Sequence, residues 1–147
     1  MKIYLTKQQG SGIKGYTEVL YPFYQQGSSV ESRLTGLYNI SNNESEFIIA
    51  NEILDDFPLN QIGDLVKTLL DKLRLKGTIV VGGTDVRLFC KAVVNSSIGE
   101  PEASEIIKNK QSMTNVNDVS KLLQSFGLSI QTTQIIGARY EITAVRV

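Results

Sequence analysis

The sequence has 147 residues, of which 41% are apolar and 20% charged, with only three prolines. This is the composition of a single globular domain over residues 1–147 and excludes a disordered chain. Folding at this length buries about 70% of the surface an extended chain exposes, so a core forms without disulfide staples or a structural metal. The one cysteine, Cys90, can make neither an internal disulfide nor a CxxC metal site. Fifteen basic and fifteen acidic residues cancel, so no overall field draws the chain to nucleic acid or to an anionic membrane. The absence of histidine excludes triad hydrolases and His-ligated zinc enzymes. No signal-like N-terminus and no run near the roughly 18 apolar residues of a membrane span occur, so a cytosolic protein is expected.

In chain order, residues 2–7 carry Ile3 and Leu5 among polar neighbours and read as a strand, followed by a glycine-containing polar stretch over 8–15. Residues 16–21 are again β-prone and stop at Pro22, and neither flanking gap has room for a long helix. Residues 28–34 are a weak strand candidate, and 41–45, reading SNNES, form a turn. The unbroken run Phe47, Ile48, Ile49, Ala50 suits a central strand covered on both faces, as in parallel sheets.

Over residues 59–75 the apolar positions Ile62, Leu65, Val66, Leu69, Leu70 and Leu73 follow helical spacing, with Pro58 at the start and Gly77 placed to stop the helix. Residues 78–81 are a second buried strand, completing a βαβ crossover. A helix is expected over 85–94, with Val86, Phe89, Cys90 and Val93 on one face; Cys90 is therefore read as a buried packing thiol. A short helix is expected at 102–108 and an amphipathic one at 117–126, capped by Asn115 or Asn117 and closed by Gly127. Residues 128–136 and 139–147, separated by Gly137 and Ala138, read as an antiparallel hairpin.

Two stretches could carry chemistry. Gly10, Gly12 and Gly15 spell GxGxxG, with Glu31 at about the distance of a ribose-binding acid. Gln8 and Gln9 separate the motif from its strand, and Tyr16 opens β-like sequence instead of a helix, so a surface turn is the simpler reading. Asn51, Glu52, Asp55 and Asp56 follow the central strand, where open α/β sheets place ligands. Asp55 and Asp56 also suit a solvated loop that complements a helix N-terminus, and Asp85 suits a helix start.

Across nearly its whole length the chain resembles a small class I S-adenosylmethionine-dependent methyltransferase. The stretches that carry this are MKIYL with KGYTEVL, FIIANEILDDFP, LLDKLRLKGTIVVGGTD, and the closing NDVSKLLQSFGLSIQTTQIIGARYEITAVRV. The resemblance implies a three-layer α/β sandwich with a Rossmann-like, mostly parallel sheet, a C-terminal antiparallel hairpin, and the first strand beside that of residues 47–50. It implies S-adenosylmethionine as cofactor, held by Thr6, Lys7, Gln8, Gly10 and Gly12 together with Asn51 and Glu52, and no metal. The chain departs from the family where the cofactor binds. Leu5, Thr6, Lys7 and Gln8 replace a glycine turn, Leu20 and Tyr21 stand where the ribose acid belongs, and Arg33 stands at the adenine-contacting acid.

Losing charge-assisted hydrogen bonds worth about 1.5–3 kcal/mol each weakens binding by powers of ten. Three functions follow: a methyltransferase-like protein with weakened cofactor affinity acting on a small-molecule or protein acceptor, a non-catalytic scaffold for a protein partner or a second copy, and, third, a dinucleotide oxidoreductase. The scaffold reading draws on Tyr4, Tyr16, Tyr21, Phe23, Tyr24 and Tyr38, crowded into the first 38 residues, although sheet packing accounts for aromatics equally well.

Overall fold

The computed structural model describes residues 1–10 and 12–147. Strands β1 (Lys2–Thr6) and β2 (Thr17–Leu20) are followed by helix α1 (Val30–Arg33), β3 (Ser45–Ala50), α2 (Ile62–Lys72) and β4 (Leu73–Thr84). Helices α3 (Val86–Val94), α4 (Glu100–Ile107) and α5 (Val116–Ser125) precede the hairpin of β5 (Leu128–Ile136) and β6 (Arg139–Arg146). The six strands form one sheet in the order β2-β1-β3-β4-β6-β5. The first four are parallel, and β6 joins β4 antiparallel with β5 beyond it. This is the α/β architecture, mostly parallel with a C-terminal antiparallel hairpin, that the sequence predicts.

Alternation along the strands decides what is buried. Ile3, Ile48, Ile79 and Ala144 are in register across the centre and face Leu65 and Leu69 of α2 and Val119 and Leu123 of α5 in one core. Their neighbours on the opposite face, Lys2, Phe47, Thr78 and Val145, are half-buried or exposed, as are Tyr4, Ile49, Val80 and Thr143. The layers are thus unequal. The β1 to β2 connection is too short for a crossover helix, and among its described residues Tyr16 covers the second face, its ring packing edge-on at 6.1 Å against Phe47 with Lys2 over it. Phe47–Ala50 is central, as predicted, but covered closely on one face alone.

Three local expectations are corrected. Residues 28–34 are not a strand: Ser29 and Ser32 close a reciprocal capping box that starts α1. Helix α2 ends at Lys72 without Gly77, because Leu73 already has extended backbone and pairs with Ser45. Residues 74–77 then bulge from the ladder, Lys76 with φ 64° and Gly77 set so tightly that a Cβ would lie 2.7 Å from Leu73 Cδ1. Cys90 is exposed; Phe89 is the buried residue of α3, and a 100° step along the helix turns the thiol outward. The remaining caps agree, with Asp85 accepting from Arg87 and Leu88 at the start of α3 and Asn115 capping α5.

Candidate functional site

The chain runs from β1 outward to β2 on one side and from β3 to β4 on the other, so the topological switch lies between β1 and β3. There the two C-terminal strand ends diverge and leave a crevice, the place where open α/β sheets bind ligands. A cavity of about 360 Å³ occupies it, lined by Tyr4, Leu5, Thr6, Lys7, Gln8, Tyr21, Asn51 and Glu52. Thr6, Lys7, Gln8, Asn51 and Glu52 are five of the seven site residues expected from sequence, brought together from two strand ends. Gly10 and Gly12 are not among the lining residues. The Gly10 amide donates to Glu18 Oε1 at 3.2 Å, and a Cβ on Gly12 would stand 2.5 Å from Glu18 Oε2, so these two glycines lie against a carboxylate of this same chain.

Asp56 organises the wall of the cavity. Its Oδ1 accepts from Lys7 Nζ at 2.7 Å and its Oδ2 from the Tyr21 hydroxyl at 2.7 Å. Asp56 is buried, as is Asp55 beside it in the 3-10 turn Ile53–Asp56. Asp55 accepts from Thr84 N and Oγ1, both at 2.8 Å, and from Lys110 Nζ at 2.7 Å. The expectation of two solvated carboxylates is therefore corrected: each is tied to a cation and to a hydroxyl, which makes burial of a carboxylate tolerable. Their adjacency after a central strand was visible in the sequence, whereas their partners, Lys7 and Lys110, lie far along the chain.

Arg33 packs against the Asp56 turn and the Tyr21 ring. It is 2% exposed, donates to the carbonyl oxygens of Asp56 and Pro22, and places its guanidinium 4.0 Å from the Phe57 ring centroid and 5.4 Å from that of Tyr24. Among the described residues its Nε has no hydrogen-bond partner. Burial lowers the guanidinium pKa, while the Asp56 carboxylate raises it. Burial likewise drives the Tyr21 hydroxyl well above the ordinary tyrosine range, reinforced by the charge of Asp56.

On the outer side, Asn51 Nδ2 donates to Glu141 Oε1 at 3.4 Å, and Glu52 pairs with Arg139 at 3.0 Å with both side chains half exposed or more. Gly82 permits this crowding, since a Cβ there would lie 2.4 Å from Asn51 O and 2.5 Å from Tyr140 O. Among the described residues no three His, Cys, Asp or Glu are placed to hold a metal ion.

No protein-family model and no curated protein matches the chain. Solved structures do. A protein of Pyrococcus horikoshii OT3 superposes with a TM-score of 0.61 at 11% identity, over 99% of this chain and 72% of that one. A SAM dependent methyltransferase from Archaeoglobus fulgidus gives 0.59 at 8% identity, over 89% of this chain and 68% of that one. The fold is that of a class I S-adenosylmethionine-dependent methyltransferase. A third structure with it, Burkholderia thailandensis 1,6-didemethyltoxoflavin-N1-methyltransferase, was solved with S-adenosylhomocysteine bound and gives 0.50 at 13% identity, over 72% of this chain and 45% of that one.

Tested against such a cofactor, the crevice of this chain fits one end better than the other. Lys7, Asn51 and Glu52 offer a cation, an amide and a carboxylate to an amino-acid group. Towards a ribose, the C-terminal end of β2 is Leu20 and offers no carboxylate; the nearby Asp56 carboxylate already holds Lys7 and Tyr21.

Proposed function

We propose that this chain is a methyltransferase-like domain that binds S-adenosylmethionine weakly in the crevice between β1 and β3, with a Kd above about 100 μM, or roughly −5.5 kcal/mol. The observation that carries the reading is the convergence of Thr6, Lys7, Gln8, Asn51 and Glu52 on one cavity at the switch point. The methionine end would meet Lys7 and Glu52, with the backbone of residues 6–8 beneath it. The missing ribose acid and the glycine loop folded onto Glu18 account for the low affinity. Methyl transfer needs chiefly the positioning of a sulfonium against a nucleophile, so the absence of histidine is no obstacle. The acceptor would be a small molecule or a protein, and the setting cytosolic; among the described residues no helix is long and apolar enough to cross a membrane.

Calorimetric and thermal-shift titration with S-adenosylmethionine and S-adenosylhomocysteine tests this, because a ligand bound only by the native state raises its melting temperature. Weak saturable binding abolished by Glu52→Ala is expected. Micromolar binding would overturn the affinity, and no binding of any adenosine ligand would overturn the site. That last outcome would favour the second reading, a non-catalytic scaffold, for which the Lys7 to Asp56 bridge and the enclosed Arg33 already speak.

A further inference from the structure

The two edges of the sheet are built differently. β2 is four residues long and carries Glu18; a short, charged edge resists pairing with another chain. β5 is nine residues long, and no charged residue and no proline occurs anywhere from Leu128 to Ala138. Its outer side has no strand beside it among the described residues. Cover from α5 ends early: Leu128 is buried and Ser129 and Ile130 are half-buried, but every residue from Gln131 to Ile136 is exposed. Ile135 is 51% and Ile136 70% exposed, and they point to opposite faces of the sheet. The strand end projects as an uncharged ribbon whose outward amide and carbonyl groups are available for pairing.

We propose that this edge pairs antiparallel with the β5 edge of a second copy, joining two six-stranded sheets into one. A second copy fits because it presents the same donors and acceptors in reverse order, and because a chain of zero net charge does not repel itself. The register follows from two boundaries. The ladder with β6 shifts between Ile130 and Thr132, which leaves Gln131 as an extra residue, and the turn at Gly137 ends the strand. The regular stretch is therefore Thr132 to Ile136, with Gln134 at its middle. A two-fold axis perpendicular to an antiparallel ladder must pass through a pair of identical residues, because adjacent pairs alternate in hydrogen bonding and cannot be equivalent. With Gln134 opposite its own copy, Ile135 meets the copy's Thr133 on the helical face, and Ile136 meets its Thr132 on the other. Both exposed isoleucines are then covered. The pairing is independent of what the crevice binds.

Sedimentation velocity over about 5–200 μM tests it, with circular dichroism and melting curves to confirm folding. The expected result is a concentration-dependent dimer, weakened at least about tenfold by Gln134→Lys, which sets two ammonium groups directly opposite each other. Gln134 is exposed, so its replacement leaves the protomer intact. In a Cys90→Ser background, Gln134→Cys should form a disulfide-linked dimer under mild oxidation, the Cα spacing of a directly opposed pair lying within disulfide reach; Glu102→Cys on α4 should not. A wild-type monomer throughout, or a dimer indifferent to Gln134→Lys, would overturn the proposal. Loss of the dimer in Gln134→Lys without cross-linking at position 134 would overturn the register.

Discussion

The Lys7 ammonium lies 2.7 Å from Oδ1 of Asp56, while the other oxygen of that carboxylate holds the Tyr21 hydroxyl at 2.7 Å. One side chain thereby fastens the exit of β1, the exit of β2 and the turn after β3. Asp56→Ala strands a buried hydroxyl and a partly buried cation, and should destabilise the fold by about 3 kcal/mol in urea unfolding. Lys7→Ala removes only one partner. It should cost about 1 kcal/mol, and weakened binding of S-adenosylhomocysteine is expected in calorimetry, since the cation that would meet its carboxylate in the crevice is gone.

Tyr21 and Tyr140 give the stability a defined alkaline limit. Burial raises both hydroxyl pKa values, with Asp56 acting on Tyr21 and Asp55 and Asp85 on Tyr140. In the unfolded chain each ionises near pH 10, whereas the folded protein keeps them neutral. Their contribution is therefore complete below pH 10 and declines as the pH rises above it, by about 1.4 kcal/mol per pH unit for each ring. Denaturant midpoints measured from pH 8 to pH 11.5 should be level with respect to these groups and then fall. In Tyr21→Phe the slope above pH 10 should lose the share due to that one ring.

Gly82→Ala should be among the costliest single-methyl changes in the molecule. The new Cβ meets two backbone oxygens, of Asn51 and Tyr140, neither of which can swing aside as a side chain does. A loss of about 3 kcal/mol is expected, with displacement of the β3 exit and hence of Asn51 and Glu52, visible as weakened ligand response in the thermal-shift assay.

Cys90 should react with a thiol reagent in the native protein at nearly the rate of a peptide thiol, because its side chain is exposed on α3. Protection that disappears only on unfolding would contradict the outward orientation.

What the sequence revealed and what it withheld divide along physical lines. Helices α2 and α5 and the closing hairpin follow from period and caps, which are local, and the crevice residues follow from where two recognisable strands end. Cys90 was misplaced because Phe89, Cys90 and Val93 fit one apolar face on paper, yet Phe89 alone is buried there. The four residues of α1 are too few for a period, and only the paired serines 29 and 32 mark them. Asp55 and Asp56 looked solvated because their cations stand 55 and 49 residues away along the chain. Pairings at that separation arise from topology, and no pattern within a window of sequence contains them.

The sparsely covered second face of the sheet divides the strand residues into two populations with different freedom to vary. Ile3, Ile48, Ile79 and Ala144 are fully enclosed, so a change of one methylene at any of them is felt by every neighbour. Tyr4, Thr78, Val80 and Thr143, one step along the same strands, retain access to water and are constrained by little beyond strand propensity. Drift in such a chain should accumulate at every second position of β1, β3, β4 and β6. A sheet closed on both sides would hold both sets still, so half of this one can change its surface chemistry while the crevice at its end keeps its shape.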